Sequence, residues 1–253
     1  MHIKNCLEKH CKQLSDRQQI ITIIKLLIFV AMRTRIKICC ISSVEEAKMA
    51  INYGADALGL VGKMPSGPGP ISEQLIASIV KIIHPPLASF LLTSEQSVNG
   101  IIEHVKRVHT NTVQIVDELV EGSYSAIRTA IPYLRIVQVI HVTGDESIGQ
   151  ALKIQDEVDA ILLDSGNPNA TIKILGGTGN THNWEISKEI VKSLSIPVFL
   201  AGGLHAGNVE EAIKTVKPFG VDICSGVRTN GQLDAGKLKM FVDAIRTTEY
   251  QQE

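Results

Sequence analysis

The segment Arg-Ile-Lys-Ile-Cys-Cys, residues 35–40, ends an apolar run on two adjacent cysteines, with a lysine two positions before the first. The thiolate is the reactive form of cysteine, and an ammonium in an enclosed site favours it. Cys39 beside Lys37 could therefore act as a base or nucleophile. The alternative is that both cysteines are small buried hydrophobes. If the run is a strand, alternation puts Lys37 and Cys39 on one face and turns Cys40 to the other, outside the pocket.

A second chemical group closes Val-Asp-Ala-Ile-Leu-Leu-Asp-Ser, residues 158–165. A carboxylate at the end of an apolar strand is costly to bury unless it is paired or functional, which singles out Asp164. The competing reading makes it a cap for the turn-rich Ser-Gly-Asn-Pro-Asn that follows. Further on, AGGLHAGN at 201–208 and CSGVRTNG at 224–231 each end a strand in small residues. Gly202, Gly203, Ser225 and Gly226 would leave backbone N–H groups free to face an anion, with the charge of Arg228 nearby. Ordinary turns would have the same composition. His141, His182 and His205 fall near strand ends, but their spacing defines no metal site, and none is expected.

These residues need a scaffold that gathers strand ends. From residue 35 onward, short and continuously apolar runs alternate with helical patterns. The expected strands lie in RIKICC, ADALGLVG, LASFLLT, NTVQIVD, LRIVQVIHV, VDAILLDS, IPVFLAGG and FGVDICSG. Unbroken apolarity marks strands covered on both faces. The intervening helices include one opened by Ser43 with Glu46 three residues on, the pattern of a capping box. Eight strand–helix units predict an α/β fold, a single (β/α)8 TIM barrel over residues 32–253. The open doubly wound alternative should carry G-x-G-x-x-G after its first strand, and this chain has no glycine there. In the barrel, catalytic groups belong at the C-terminal strand ends, where the residues named above fall.

Residues 1–31 form an N-terminal extension. Its apolar stretch IITIIKLLIFVA, at 20–31, is too short to span a bilayer and lacks a small-residue cleavage site. An amphipathic helix is expected there, and Met32 also fits a start placed too early. The formal net charge of −1 and the low aromatic content give no support to a nucleic-acid or membrane partner. Five cysteines without regular spacing do not make a disulfide framework, which fits a cytoplasmic setting.

Several motifs together resemble the phosphoribosylanthranilate isomerase family. They are KIC at 37–39, GADALGLV at 54–61, TVQI at 112–115, LLDS at 162–165, GGTGNTHNW at 176–184, LAGGLHAGNV at 200–209 and DICSGV at 222–227. The resemblance covers roughly residues 35–246. It implies a cofactor-free Amadori rearrangement of N-(5-phosphoribosyl)anthranilate in tryptophan biosynthesis, with Cys39 as general base and Asp164 as general acid. It also implies that the turns at Gly202–Gly203 and Ser225–Gly226 hold the substrate phosphate, and that the loop with Gly177, Thr178 and Gly179 closes the site. Lys37, Lys63, Gln114 and Arg228 are further candidate substrate contacts. Monomers and homodimers are both expected of such a barrel.

The chain departs from the family pattern in places. Cys40 stands where glycine is usual, and Arg228 where glutamate is. Ile115-Val116-Asp117 replaces leucine-histidine-glycine, and His182-Asn183 replaces phenylalanine-aspartate. The loop GKMPSGPGP at 62–70 has no arginine of the usual S-P-R segment. These departures keep two alternatives open: an isomerase for another phosphorylated aminoaldose or aldose, and a non-catalytic sugar-phosphate-binding barrel.

Overall fold

The computed structural model describes residues 33–65, 67–166, 175, 179 and 181–250. The expected N-terminal extension lies outside them, as do Gly177 and Thr178. Eight parallel strands close into a barrel in sequence order: β1 Arg35–Ile38, β2 Ala57–Val61, β3 Ala88–Thr93, β4 Thr112–Ile115, β5 Arg135–His141, β6 Ala160–Asp164, β7 Val198–Leu200 and β8 Gly220–Ile223. Each falls within an apolar run identified above. Closure comes from β1 pairing with β8, in a register that sets Lys37 beside Asp222.

Among the described residues eight α-helices form the outer layer: α1 Val44–Asn52, α2 Glu73–Val80, α3 Val98–Val108, α4 Tyr124–Ala130, α5 Glu146–Ile154, α6 Trp184–Ser193, α7 Val209–Val216 and α8 Ala235–Tyr250. Serine opens α1 to α4. Ser43, Ser72, Ser97 and Ser123 each accept a hydrogen bond from the amide three residues on, which satisfies one free donor of the first turn. The expected capping box at α1 is only half formed. Glu46 does not return to Ser43; it accepts from the Ser42 amide, 2.9 Å away, and from groups beyond β8.

Strand alternation sorts the side chains into two cores. Ile36, Leu58, Leu91, Val113, Ile136, Ile161, Leu200 and Val221 pack with the helices. Ala57, Val61, Phe90, Leu92, Val137, Val139, Leu162 and Phe199 fill the barrel interior. The floor of the barrel therefore needs no ligand to be packed.

The N-terminal ends of the strands repeat one device. The side chain just before β2, β4 and β6 accepts a hydrogen bond from an amide at the start of the preceding odd-numbered strand. Asp56 takes the Ile36 amide at 2.9 Å, Asn111 the Ser89 amide at 2.9 Å and Asp159 the Ile136 amide at 2.8 Å. Arg128 and Arg135 pair with Asp159 as well. Desolvation pulls Asp159 upward, but the Ile136 amide and the two guanidinium groups outweigh it and hold the carboxyl below the usual aspartate range.

Candidate active site

A cleft enclosing about 720 Å³ of space, open solvent included, lies at the C-terminal end of the barrel. Cys39, Gln114, Asp164, Gly179, Gly202, Gly203, Asp222 and Ser225 all line it. The two expected chemical groups, on β6 and just past β1, thus share one space.

Asp164 ends β6 and accepts the Ser165 amide at 2.7 Å. Enclosure raises its pKa: desolvation outweighs that hydrogen bond and the neighbouring charges of His141 and Lys37. A carboxyl so placed can carry a proton where an ordinary aspartate would have lost it.

Cys39 faces the interior directly beyond β1. Its sulfur occupies room left by Gly59: a Cβ there would meet Cys39 Sγ at 2.8 Å and Lys37 Nζ at 3.1 Å. Lys37 itself is fully buried under the cavity floor. It pairs with Asp222 at 2.9 Å and lies 5.2 Å from the centre of the Phe90 ring. Burial opposes the ammonium's charge, but Asp222 reverses that balance and raises the Lys37 pKa. The expectation that Lys37 reaches substrate is corrected accordingly: Asp222 is the member of the pair that touches the cavity. Asp222 and Gly59 escaped notice in the sequence, yet a charge interrupting the apolar β8 was a readable signal, as was the lysine in its closing partner β1.

Cys40 also departs from expectation. It lines the cavity and does not pack in the helix layer. The alternation argument fails because β1 stops at Ile38 and Cys40 adopts φ +60°, the left-handed region. That conformation gives a physical reason for the family's glycine at this position. The Cys40 sulfur sits 2.8 Å from that of Cys224 and 3.9 Å from that of Cys39.

The anion side is built from tight approaches. Gly202 has φ +83°, and a Cβ on it would meet Ser165. Ser225 and Gly226 begin a 3-10 turn, Ser225–Val227, and a Cβ at Gly226 would lie 2.1 Å from the Leu204 carbonyl oxygen. No side chain fits at either position, and Gly202, Gly203 and Ser225 bring their backbone to the cavity lining. Gln114 presents a buried Oε1 without a hydrogen-bond partner among the described residues.

Two cations are placed elsewhere than expected. Lys63 is exposed and not part of the lining. Arg228 is drawn back from the cavity: it pairs with Glu46 at 3.0 Å and donates to the Cys39 carbonyl at 3.2 Å and to that of Cys40. It thereby clamps the backbone that carries both cysteines. Among the described residues, the lining contains no lysine or arginine.

Comparison with known proteins identifies the family. The model of the N-(5'-phosphoribosyl)anthranilate isomerase family matches residues 36–244. The chain belongs to that family. N-(5'-phosphoribosyl)anthranilate isomerase 1 of Methanosarcina mazei is 35% identical over 228 residues, which cover 85% of this chain and 96% of that protein. Among solved structures, the family member from Thermotoga maritima superposes with a TM-score of 0.71 at 27% identity, covering 85% of this chain and 99% of that one. A family structure in complex with reduced 1-(o-carboxyphenylamino)-1-deoxyribulose 5-phosphate superposes at 0.68 with 25% identity, and covers 85% and 99%.

Proposed function

We propose that this chain isomerises N-(5-phosphoribosyl)anthranilate to 1-(o-carboxyphenylamino)-1-deoxyribulose 5-phosphate. The observation that carries the reading is the convergence of Cys39 and Asp164 in one cavity, beside turns open to an anion. Protonated Asp164 donates to the furanose ring oxygen as its bond to C1 breaks, and the substrate nitrogen forms the iminium. Cys39, as thiolate, then removes the proton from C2, and the resulting enolamine tautomerises to the amino-ketose. The amides around Gly202, Gly203, Ser225 and Gly226 hold the phosphate. Among the described residues no cation lines the cavity, so the side-chain amide nitrogen of Gln114 is the donor offered to the anthranilate carboxylate.

The substrate nitrogen is the electron sink, so the chain's own acid and base suffice. A near-neutral net charge and free thiols at the site suit a cytoplasmic enzyme acting as a monomer or homodimer. The experiment is turnover of phosphoribosylanthranilate, followed by loss of its anthranilate-type fluorescence. Conversion by the wild type, with a loss on the order of 10²–10⁴-fold in Cys39→Ala, is expected. A folded wild-type protein that binds ribose 5-phosphate but leaves this substrate unchanged would overturn the assignment.

A further inference from the structure

Cys40 and Cys224 take no part in the proposed chemistry, yet they meet at the mouth of the cavity with their sulfurs 2.8 Å apart, 184 residues distant in sequence. Cys40 holds φ +60°, a left-handed conformation that strains an ordinary residue and that glycine would adopt freely. Strain kept at a site with a reactive side chain points to a use for that side chain. Pro68 and Gly69 pack over it: the Pro68 carbonyl oxygen lies 3.6 Å from Cys40 Sγ, and a Cβ at Gly69 would meet the Cys40 Cβ at 2.7 Å. Cys224 is half-buried and reaches the open cavity.

We propose that Cys40 and Cys224 are an oxidisable dithiol, a modification site that closes reversibly to a disulfide in the presence of a hydroperoxide. The Cys224 thiolate attacks one peroxide oxygen, the O–O bond breaks, and Cys224 becomes a sulfenic acid while hydroxide leaves and takes up a proton. Cys40 then attacks the Cys224 sulfur and expels water. Two thiols lose two electrons in all, and one hydroperoxide is reduced to two waters, or to water and an alcohol. The division of roles follows the local field. The Sγ–Sγ contact with Cys40, opposed by burial and helped by Arg228, lowers the Cys224 pKa, while that same contact raises Cys40. The bond would tie the residue after Cys39 to the residue before Ser225, so oxidation would lock the base and the anion turn together. Cys39, with its sulfur 3.9 Å from that of Cys40, is the competing partner.

The test is peptide mapping of the full chain after hydrogen peroxide and alkylation of the remaining thiols. A peptide pair joined through Cys40 and Cys224, lighter by two hydrogens and separated by dithiothreitol, is expected. Cys40→Ser and Cys224→Ser should each abolish that pair while circular dichroism stays native. A Cys39–Cys40 link, a link to Cys6 or Cys11, or full alkylation of Cys40 and Cys224 after peroxide would each overturn the proposal.

Discussion

The two ends of the barrel use polar residues in opposite ways. At the N-terminal end Asp56, Asn111 and Asp159 each meet a backbone amide at 2.8–2.9 Å, and arginines complete the carboxylates. At the C-terminal end Asp164 is enclosed with its pKa raised, Gln114 keeps an oxygen unpartnered among the described residues and Cys40 is strained. At the first end these three side chains are satisfied and so stabilise the fold. The other end leaves its groups poised toward a cavity, at a cost to stability. The contrast separates two aspartates by environment alone: Asp159 is held below its usual range and Asp164 above it.

The buried Lys37–Asp222 pair lies between the two ends and should couple them. Lys37→Met leaves the Asp222 carboxylate unpaired at the cavity floor and should cost about 3–5 kcal/mol in urea unfolding. Lys37→Met combined with Asp222→Leu should recover most of that loss. A single variant as stable as wild type would break the reading of the pair as mutually dependent. Asp159→Asn comes next. Loss of its charge-assisted bonds should cost about 1.5–3 kcal/mol, with kcat within a factor of about two. Because the folded-state pKa of Asp159 is depressed, its contribution is present above the unfolded value and is lost as pH falls through the folded one. The stability gap between variant and wild type should therefore close in acid. The smallest effect belongs to Lys63→Ala: an exposed side chain off the lining should change kcat/KM by less than about threefold, within the range of ordinary surface substitutions. A larger loss would mean that the loop bearing it folds over substrate.

Most of the scaffold was legible because the physical signal is redundant. Eight apolar runs alternate with helical patterns, one of them marked by the Ser43 cap, and each observed strand lies inside its predicted run. Cys39, Asp164 and the glycine turns were legible because the barrel assigns chemistry to strand ends. What escaped notice depends on contacts between distant segments. Lys37 read as a pocket residue because its partner Asp222 comes 185 positions later, across the strand pair that closes the barrel. Arg228 read as a charge near the phosphate turn, whereas Glu46 and two carbonyls beyond β1 draw it away. Cys40 was misassigned because alternation holds only within a strand, and a single left-handed residue re-aims the side chain.

The most direct test is a paired measurement on Asp164→Asn: kcat with phosphoribosylanthranilate, and the urea midpoint as a function of pH. Wild-type Asp164 has a raised folded-state pKa, so its contribution is fully present below the unfolded value and is lost as pH rises through the folded one. The amide removes that loss. The expected result is a kcat reduced about 10²–10⁴-fold together with a midpoint above wild type at neutral pH, the gap vanishing below about pH 4. Retained activity, or a variant less stable than wild type at neutral pH, would contradict the assignment of Asp164 as an acid kept protonated by its enclosure.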